Sequence, residues 1–231
     1  MDSAEPSNPA EHRSIGAPLL DGPLAEFQAY AGNRRSFSSR TMLLNEEEPR
    51  TYLLILEQGW AYAYRTLSDG RRHVVEVYVP GDVIGLAEAW TGMSGPGVAT
   101  LTDVCAVSLA GRDLAAQFRR SPSAAAGLTT ALAKEHEKLS CRTTSLARQT
   151  AYERVAYLMW CLCARTWPDE RGKPNVFDCP VPQAVIADAL GLSLVHVNRS
   201  LGQLARDGVL LKHTQTVEIL DPDAFERIVR S

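Results

Sequence analysis

Residues 180–210 read PVPQAVIADALGLSLVHVNRSLGQLARDGVL, which is two short amphipathic stretches joined by a single glycine. Pro182 suits the first turn of a helix, and Gly191 can adopt the positive φ that a tight turn between crossed helices requires. Ser193 can cap a second helix, and Asp207-Gly208 can end it. The stretch therefore predicts a helix-turn-helix.

The two faces of the second helix differ in chemistry. At 100° per residue, Val197, Leu201 and Leu204 fall within one narrow arc and should face the core. The opposite side holds the residues that we expect to meet a partner, which are Val195, His196, Asn198, Arg199 and Gly202. Arginine can pair bidentately with guanine and asparagine with adenine, and a glycine admits a closely approaching phosphate backbone. This face fits a DNA major groove; the alternative is a solvated helix on which Asn198 and Arg199 only meet water.

The stretch that follows the second helix has the pattern of a hairpin. VLLKHTQTVEIL (209–220) reads as two short strands with a turn between them. Lys212, His213 and Thr214 lie near its tip, where such residues can contact phosphate. Together with Ser193, they complete the set of candidate DNA-contacting residues. A hairpin in this position predicts a winged helix-turn-helix.

The first half of the chain shows the signals of short strands and tight turns. Residues 41–110 contain β-rich and alternating runs, punctuated by Asp69-Gly70, by PGD at 80–82 and by the glycine-rich TGMSGPG at 91–97. Many short strands at near-regular spacing indicate an antiparallel barrel or sandwich. Residues 1–22 are rich in Pro, Ala, Ser, Asn and Glu and lack the apolar run of a signal peptide, so we interpret them as a flexible tail.

A long helical stretch without proline follows from about Pro122. A seam with 4-3-4-3 spacing runs along it through Leu132, His136, Leu139, Thr143 and Leu146. A second copy of the helix is its natural partner, which predicts a parallel homodimer. The alternative is a helix that lies across its own β-domain, and both can be partly true. A break near Gln149-Thr150 separates it from the next helix, and PDERGKPN (168–175) reads as a polar loop.

Composition and charge limit the class of protein. The chain has 231 residues and a formal net charge of −3. Residues 1–137 carry 12 basic and 17 acidic groups (−5), whereas residues 138–231 carry 12 and 10 (+2), so the two halves differ in sign. The strongest apolar stretch, VAYLMWCLCA (155–164), is about half the length of a membrane span. We expect a protein that makes no membrane contact.

The cysteines and histidines suggest neither a metal site nor an enzyme. Five irregularly spaced cysteines argue against a disulfide framework and for a reducing cytoplasm. Cys161 and Cys163 are two apart on a predicted helix and cannot share a metal ion. Cys179 is the one thiol whose redox sensitivity we single out for testing. There is no nucleophile–base pair, and TGMSGPG lacks the context of a phosphate-binding loop. We therefore expect no catalytic residues and no metal.

The chain from residue 24 to 231 resembles the Crp/Fnr family of bacterial transcription regulators. The resemblance depends on Gly59, Gly70, PGD and IGL in the β-rich half, on the long helix, on AYERVA after it, and on ADALGLSLVHVNRSL. It implies an α+β fold with four parts: a tail at 1–22, a jelly-roll-like antiparallel β-roll resembling a cyclic-nucleotide-binding domain at 23–121, a dimerisation helix at 122–148, and a winged helix-turn-helix at 149–231.

One departure from the family concerns the DNA sequence that the chain would bind. The resemblance makes Arg199 the base-reading arginine, but family members often carry Glu four residues earlier, where this chain has Val195 and can make only apolar contact. His196 and Asn198 are the candidates to replace its polar contacts. The half-site should therefore differ from the one that Glu-containing members read.

The ligand pocket implied by the resemblance is degenerate. Cyclic-nucleotide-binding members have a Gly-Glu pair where this chain has Gly85-Leu86, and they place hydroxyls on the long helix where Leu139-Ser140 is the nearest match. They also carry an arginine for the cyclic phosphate, whereas no Arg or Lys lies between residues 73 and 111 here. We predict that cyclic AMP is not bound, expect no resident cofactor, and leave the effector unassigned. Haem stays open, since His73 or His136 could ligate it.

The sequence thus predicts a cytoplasmic, homodimeric transcription regulator that binds an inverted repeat of double-stranded DNA and contacts RNA polymerase. Two recognition helices related by a two-fold axis would enter successive major grooves about 34 Å apart. The alternative is a ligand-sensing β-roll module whose helix-turn-helix mediates protein contacts.

Overall fold

A computed structural model describes residues 33–166 and 175–230 of the chain. The tail predicted at 1–22 lies outside the described residues, and so does nearly all of the polar loop predicted at 168–175.

Residues 33–110 of the described chain form eight strands, and the turn pattern predicts short strands over most of this range. They are β1 Arg34–Phe37, β2 Met42–Leu44, β3 Tyr52–Gln58, β4 Ala61–Thr66, β5 Arg72–Tyr78, β6 Val83–Ile84, β7 Gly97–Thr100 and β8 Val104–Ala110. They make two antiparallel four-stranded sheets with the orders β1-β8-β3-β6 and β2-β7-β4-β5. Alternate residues such as Leu54, Ala61 and Val98 are fully buried between the sheets. The β4–β5 hairpin at Asp69-Gly70 is confirmed, whereas β1 precedes the predicted strand region and was not predicted.

Two short helices close one side of the roll. They are α1 Leu86–Thr91 and α2 Gly111–Arg120, neither of which the strand-and-turn pattern predicted. The other face of the β3–β8 pair, with Leu53 and Leu109, packs against Leu114 of α2. The N-terminal half is therefore a β-roll in which one face of the β3–β8 pair is covered by helices.

The long helix α3 spans Pro122–Arg148. Near its N-terminal end, Ala124 and Leu128 are buried against the roll. Further along the helix the predicted seam is exposed, with Leu132 42% and Leu139 44% exposed. The helix thus does lie across its own roll, and it still presents an apolar row that nothing in the described chain covers.

The predicted break after α3 is a capping box. Helix α4, Ala151–Thr166, begins after Thr150, whose backbone N–H and hydroxyl both donate to Glu153 Oε2 at 2.7 and 2.8 Å. In return, the backbone N–H of Glu153 donates to Thr150 Oγ1 at 3.4 Å. This reciprocal pair of hydrogen bonds caps the first turn of α4, directly after α3 ends.

The C-terminal half is a winged helix-turn-helix. It contains β9 Val176–Asp178, α5 Gln183–Leu190, α6 Leu194–Arg206, β10 Leu210–Lys212, β11 Thr216–Ile219 and α7 Pro222–Val229. The β10–β11 hairpin is confirmed, and β9 adds a third strand that was not predicted. Its core is continuous with the outside of the roll, because Val74 and Val77 of β5 belong to the same buried cluster as Val155 and Leu190.

Candidate nucleic-acid interface

The turn between α5 and α6 has the geometry that its sequence predicts. Gly191 has φ 62°, a left-handed conformation, and an added Cβ there would touch nothing within 4 Å. The cost of any other residue at this position is therefore backbone strain alone. Ser193 caps α6: its Oγ accepts the backbone N–H of His196 at 3.3 Å and lies 3.0 Å from His196 Nδ1. One side chain thus fixes both the start of the helix and the ring of His196.

Helix α6 buries the predicted face. Val197 and Leu204 are fully buried, and Leu201 is 7% exposed, all in the core of the domain. Ser200 is buried beside them. At the C-terminal end, Tyr152 Oη donates to Asp207 Oδ2 at 2.9 Å, and burial together with this carboxylate raises the pKa of Tyr152 to about 12. The helix is held at both ends, so its orientation is well defined.

The opposite face of α6 is free. Val195 is 64% exposed, and His196, Asn198 and Arg199 are exposed as well. Asn198 and Arg199 make no side-chain hydrogen bond or ion pair within the described chain. At Gly202 an added Cβ would meet only Arg206 Nη1, at 3.5 Å. The predicted DNA-facing residues are thus brought together on one solvent-facing helix surface.

The three candidate residues of the β10–β11 wing differ in how exposed their side chains are. His213 and Thr214 are exposed at the tip, and His213 Nε2 lies 3.6 Å from Glu218 Oε2. The Lys212 ammonium instead donates to the carbonyls of Cys179, His213 and Thr214, at 3.0, 2.5 and 3.4 Å. Burial lowers its pKa. Its role at a phosphate stays a prediction, and it would require the ammonium to leave carbonyls that tie the wing together.

An ionic cluster joins the winged domain to the roll, and sequence reasoning missed it. Arg165 of α4, with a side chain 8% exposed, donates to Asp82 Oδ2, to Glu76 Oε1 at 3.1 Å and to the Val77 carbonyl at 2.9 Å. Lys138 of α3 pairs with one of these carboxylates, with its Nζ 3.4 Å from Asp82 Oδ1. Three parts of the fold, the roll, the long helix and the winged domain, therefore meet at two acids of the roll.

A second basic side chain of α3 and a histidine of the roll extend this junction. Arg142 donates to the Val75 carbonyl and lies 4.0 Å from Glu76 Oε2. His73 Nδ1 is 3.1 Å from the carbonyl oxygen of Asp188 in α5. The helix-turn-helix is thus seated directly on β5 of the roll.

The four residues of the degenerate pocket differ in exposure, because Gly85 and Leu86 are buried whereas Leu139 and Ser140 are exposed. Leu86 is buried in the apolar cluster between the roll and α2, with Leu53 and Val107 as members. Leu139 and Ser140 are exposed on α3. The sequence suggested that this pocket has no cation, because no Arg or Lys lies between residues 73 and 111. The structure corrects this, because Arg50 from the β2–β3 connection brings a guanidinium to the region. Its Nη1 would lie 3.3 Å from a Cβ on Gly85, and its Nη2 donates to the Pro96 carbonyl.

The structure also bears on the Cys179 thiol, on metal binding and on membrane-spanning helices. Cys179 is fully buried, and burial raises its pKa, so its thiolate is disfavoured. In the described chain, no three His, Cys, Asp or Glu residues cluster in a way that could hold a metal ion. Likewise, no described helix combines the length and apolarity that a membrane crossing requires.

The protein consists of a β-roll, the long helix α3 and a winged helix-turn-helix whose α6 exposes one face to solvent. This combination defines a DNA-binding transcription regulator. Residues 34–121 match the cyclic nucleotide-binding domain family, and residues 153–228 match the Crp-like helix-turn-helix domain. The nitrogen fixation regulation protein FixK of Rhizobium meliloti is 30% identical over 171 residues, which is 74% of each chain. The chain belongs to the Crp/Fnr family of bacterial transcription regulators.

Two further similarities span more of the chain. The transcriptional activator protein FnrL of Cereibacter sphaeroides is 25% identical over 205 residues, covering 87% of this chain and 82% of FnrL. The structure of FixK2 from Bradyrhizobium japonicum superimposes with a TM-score of 0.75 at 25% identity, covering 84% of this chain and 96% of FixK2. The resemblance read from the sequence motifs is confirmed.

Proposed function

We propose that the protein acts as a homodimer on an inverted-repeat DNA site, with one α6 helix in each of two successive major grooves. The observation that carries this proposal is the exposed outer face of α6, with Arg199 and Asn198 unpaired within the described residues and held on a rigid helix. A guanidinium free of internal partners can donate both hydrogen bonds to O6 and N7 of guanine. Val195 supplies an apolar surface that suits a thymine methyl group.

The dimer is supported by the exposed seam on α3. Leu132 and Leu139 lie in one row along the helix and are each more than two-fifths exposed. A parallel copy of the same helix would cover them in a coiled coil, and His136 and Thr143 in that seam would fix its register. The two-fold axis of such a dimer dictates the symmetry of the DNA site and a spacing of about 34 Å between half-sites.

Competition binding tests the base-reading role. Arg199→Ala should reduce discrimination between the preferred site and a site with one changed guanine by about 1–3 kcal/mol. Arg227→Ala is the matched control, because Arg227 is an exposed arginine on α7 of the same domain. Unchanged discrimination in Arg199→Ala, or an equal loss in Arg227→Ala, would count against the assignment.

Sedimentation velocity tests the dimer. Wild-type protein should be dimeric at micromolar concentration, and Leu139→Glu should be monomeric with an unchanged far-UV circular dichroism spectrum. Thr130→Glu is the control, since Thr130 is exposed on the other side of α3. A wild-type monomer at every concentration would overturn this part of the proposal.

We propose further that cyclic AMP is not the effector. The supporting observations are the buried apolar Leu86 in place of the family's glutamate and the exposed position of Ser140. Arg50 supplies a cation in this region, so the proposal depends on Leu86 and Ser140 alone. Millimolar cyclic AMP should leave the DNA affinity unchanged; a tenfold increase would contradict the proposal.

We propose that the protein works in the cytoplasm and contacts RNA polymerase, since its named relatives include transcriptional activators. We propose that it does not catalyse a reaction. The alternative, a helix-turn-helix for protein contacts, predicts that salt has little effect on binding to duplex DNA. A DNA-binding dimer instead loses affinity steeply as salt rises.

A further inference from the structure

The first turn of helix α6 is exposed and partly apolar. Residues 193–196 are all exposed, whereas Val197, the next residue, is fully buried. Two of these exposed residues are large and apolar, with Leu194 48% and Val195 64% exposed. Among the described residues, they are the only exposed large hydrophobic side chains that are neighbours in the chain. Single exposed apolar residues are ordinary, but an adjacent pair at the start of this helix indicates a surface that a partner covers.

The backbone of this first turn is held by a cap. Ser193 Oγ accepts the backbone N–H of His196 at 3.3 Å and lies 3.0 Å from His196 Nδ1. Leu194 and Val195 lie between these two residues, so the cap fixes the backbone that carries them. A contact made by these side chains therefore requires little further ordering of the chain.

The first and second turns of α6 offer different chemistry to a base edge. Leu194 and Val195 can neither donate nor accept a hydrogen bond, whereas Asn198 and Arg199, one turn later, carry an amide and a guanidinium. In the major groove, an apolar side chain can contact the 5-methyl group of thymine. Cytosine presents an amino donor there, which an aliphatic side chain would shield from water without replacing the hydrogen bond. The apolar turn therefore favours a methylated pyrimidine over cytosine.

We propose that Leu194 and Val195 together contact the 5-methyl group of a pyrimidine in each half-site, about two base pairs from the guanine that Arg199 contacts. Arg199 follows the pair by four to five residues, which is a rise of about 6–7.5 Å along the helix, and successive base pairs are about 3.4 Å apart. Leu194 is not among the residues that the sequence predicted to contact DNA. The inference rests on the proposed DNA-binding function and names the base chemistry that the first turn of α6 selects.

Competition binding measured by fluorescence anisotropy tests the methyl contact. The probe is the inverted repeat that the full-length protein selects from random duplex DNA, with one thymine at a time replaced in both half-sites by uracil, which lacks only the 5-methyl group. At one thymine within about three base pairs of the guanine, uracil should lower the affinity about tenfold. Each buried methyl group contributes about fourfold, and the dimer makes the contact twice.

Two natural bases carry this methyl group, and a second set of probes distinguishes them. Thymine carries it in ordinary DNA and 5-methylcytosine carries it in methylated DNA. The same position is therefore also filled with cytosine and with 5-methylcytosine, and the methylated base should bind more tightly than cytosine. Tighter binding of thymine than of 5-methylcytosine identifies ordinary DNA as the source of the group, and the reverse identifies methylated DNA.

Variants assign the effect to the two side chains. Leu194→Ala and Val195→Ala should each reduce the ratio of thymine-site to uracil-site affinity about twofold or more, and the double variant should bring this ratio to about one. Leu220→Ala and Val176→Ala are the matched controls, because these residues are 41% and 44% exposed in the same domain and lie outside α6. Both controls should keep the wild-type ratio. A general loss of stability would lower both affinities and leave the ratio unchanged.

The inference and the DNA-binding proposal fail in different ways. A tightly bound inverted repeat with a ratio of about one at every thymine in that range overturns this inference alone, as does an unchanged ratio in the double variant. A half-site without thymine in that range, whose cytosines gain no affinity from methylation, overturns it as well. Failure to enrich any duplex site would overturn the DNA-binding proposal and this inference with it.

Discussion

Replacing Arg165 with methionine should destabilise the protein by about 3 kcal/mol. The substitution keeps much of the aliphatic stem and removes the guanidinium from Asp82 and Glu76, whose side chains are only 11% and 15% exposed. Burial opposes the charge on Arg165, but the two carboxylates outweigh it and raise its pKa. Breaking one side of a buried ion pair costs about 3–5 kcal/mol, because the remaining charge is left without a partner. We expect the lower end of this range, since Lys138 still neutralises Asp82 in part.

The assay is urea unfolding followed by tryptophan fluorescence, supported by thermal unfolding. For a chain of this size, 3 kcal/mol corresponds to a fall in Tm of roughly 6–12 °C. Arg71→Met is the control, because Arg71 pairs with Asp69 at 2.7 Å but its side chain is 77% exposed, and such pairs contribute less than about 1 kcal/mol. Asp82→Asn combined with Arg165→Met should cost less than the sum of the two single changes. A cost below about 1 kcal/mol for Arg165→Met, equal to that of Arg71→Met, would refute the reasoning.

Three other changes test separate features. Burial, followed by the charge of Glu76, raises the pKa of Glu135 to about 7. The folded state therefore binds the proton of the Glu135 carboxyl more tightly than the unfolded chain does. The stabilisation from this proton is complete below about pH 4.5 and is lost as pH rises through 7, by up to about 3 kcal/mol. Glu135→Gln should flatten this part of the pH–stability curve, and an unchanged curve would contradict the assignment. Gly202→Ala should raise the stability of α6 by up to about 1 kcal/mol, since the new methyl meets only Arg206, and yet weaken DNA binding if phosphate passes close to this position. Equal or tighter DNA binding would show that the glycine is not needed for approach. Ser193→Ala should cost about 1 kcal/mol in urea unfolding through the lost cap of α6, and a neutral result would remove that role.

The sequence predicts well those parts of the fold that depend on neighbouring residues. The turn at Gly191, the cap at Ser193 and the buried stripe of α6 follow from φ preference, capping chemistry and helical period, each of which acts over a few residues. The hairpin at Asp69-Gly70 is predictable for the same reason. The outer face of α6 is thereby also predictable, because a helix that buries one stripe must expose the other.

Contacts between distant segments could not be predicted in this way. Arg50 follows a run of acidic residues and has the local pattern of an exposed loop, yet it lies buried against Gly85. Arg165 sits near the end of an amphipathic helix, and only the packing of α4 on the roll brings it to Asp82. The short strand β9 pairs with β11 from 38 residues away, between Asp178 and Thr216. Such partners depend on the three-dimensional arrangement and leave no periodic signal in the chain.

The account as a whole depends on α6 reading base edges in two symmetric copies. Selection of random duplex DNA on the purified full-length protein, run in parallel with Arg199→Ala, tests this claim most directly. We expect the wild type to enrich an inverted repeat whose half-site centres lie one helical turn, about 34–36 Å, apart, with a guanine in each half that Arg199→Ala no longer selects. Enrichment of a single asymmetric site, or of the same motif by both proteins, would contradict it.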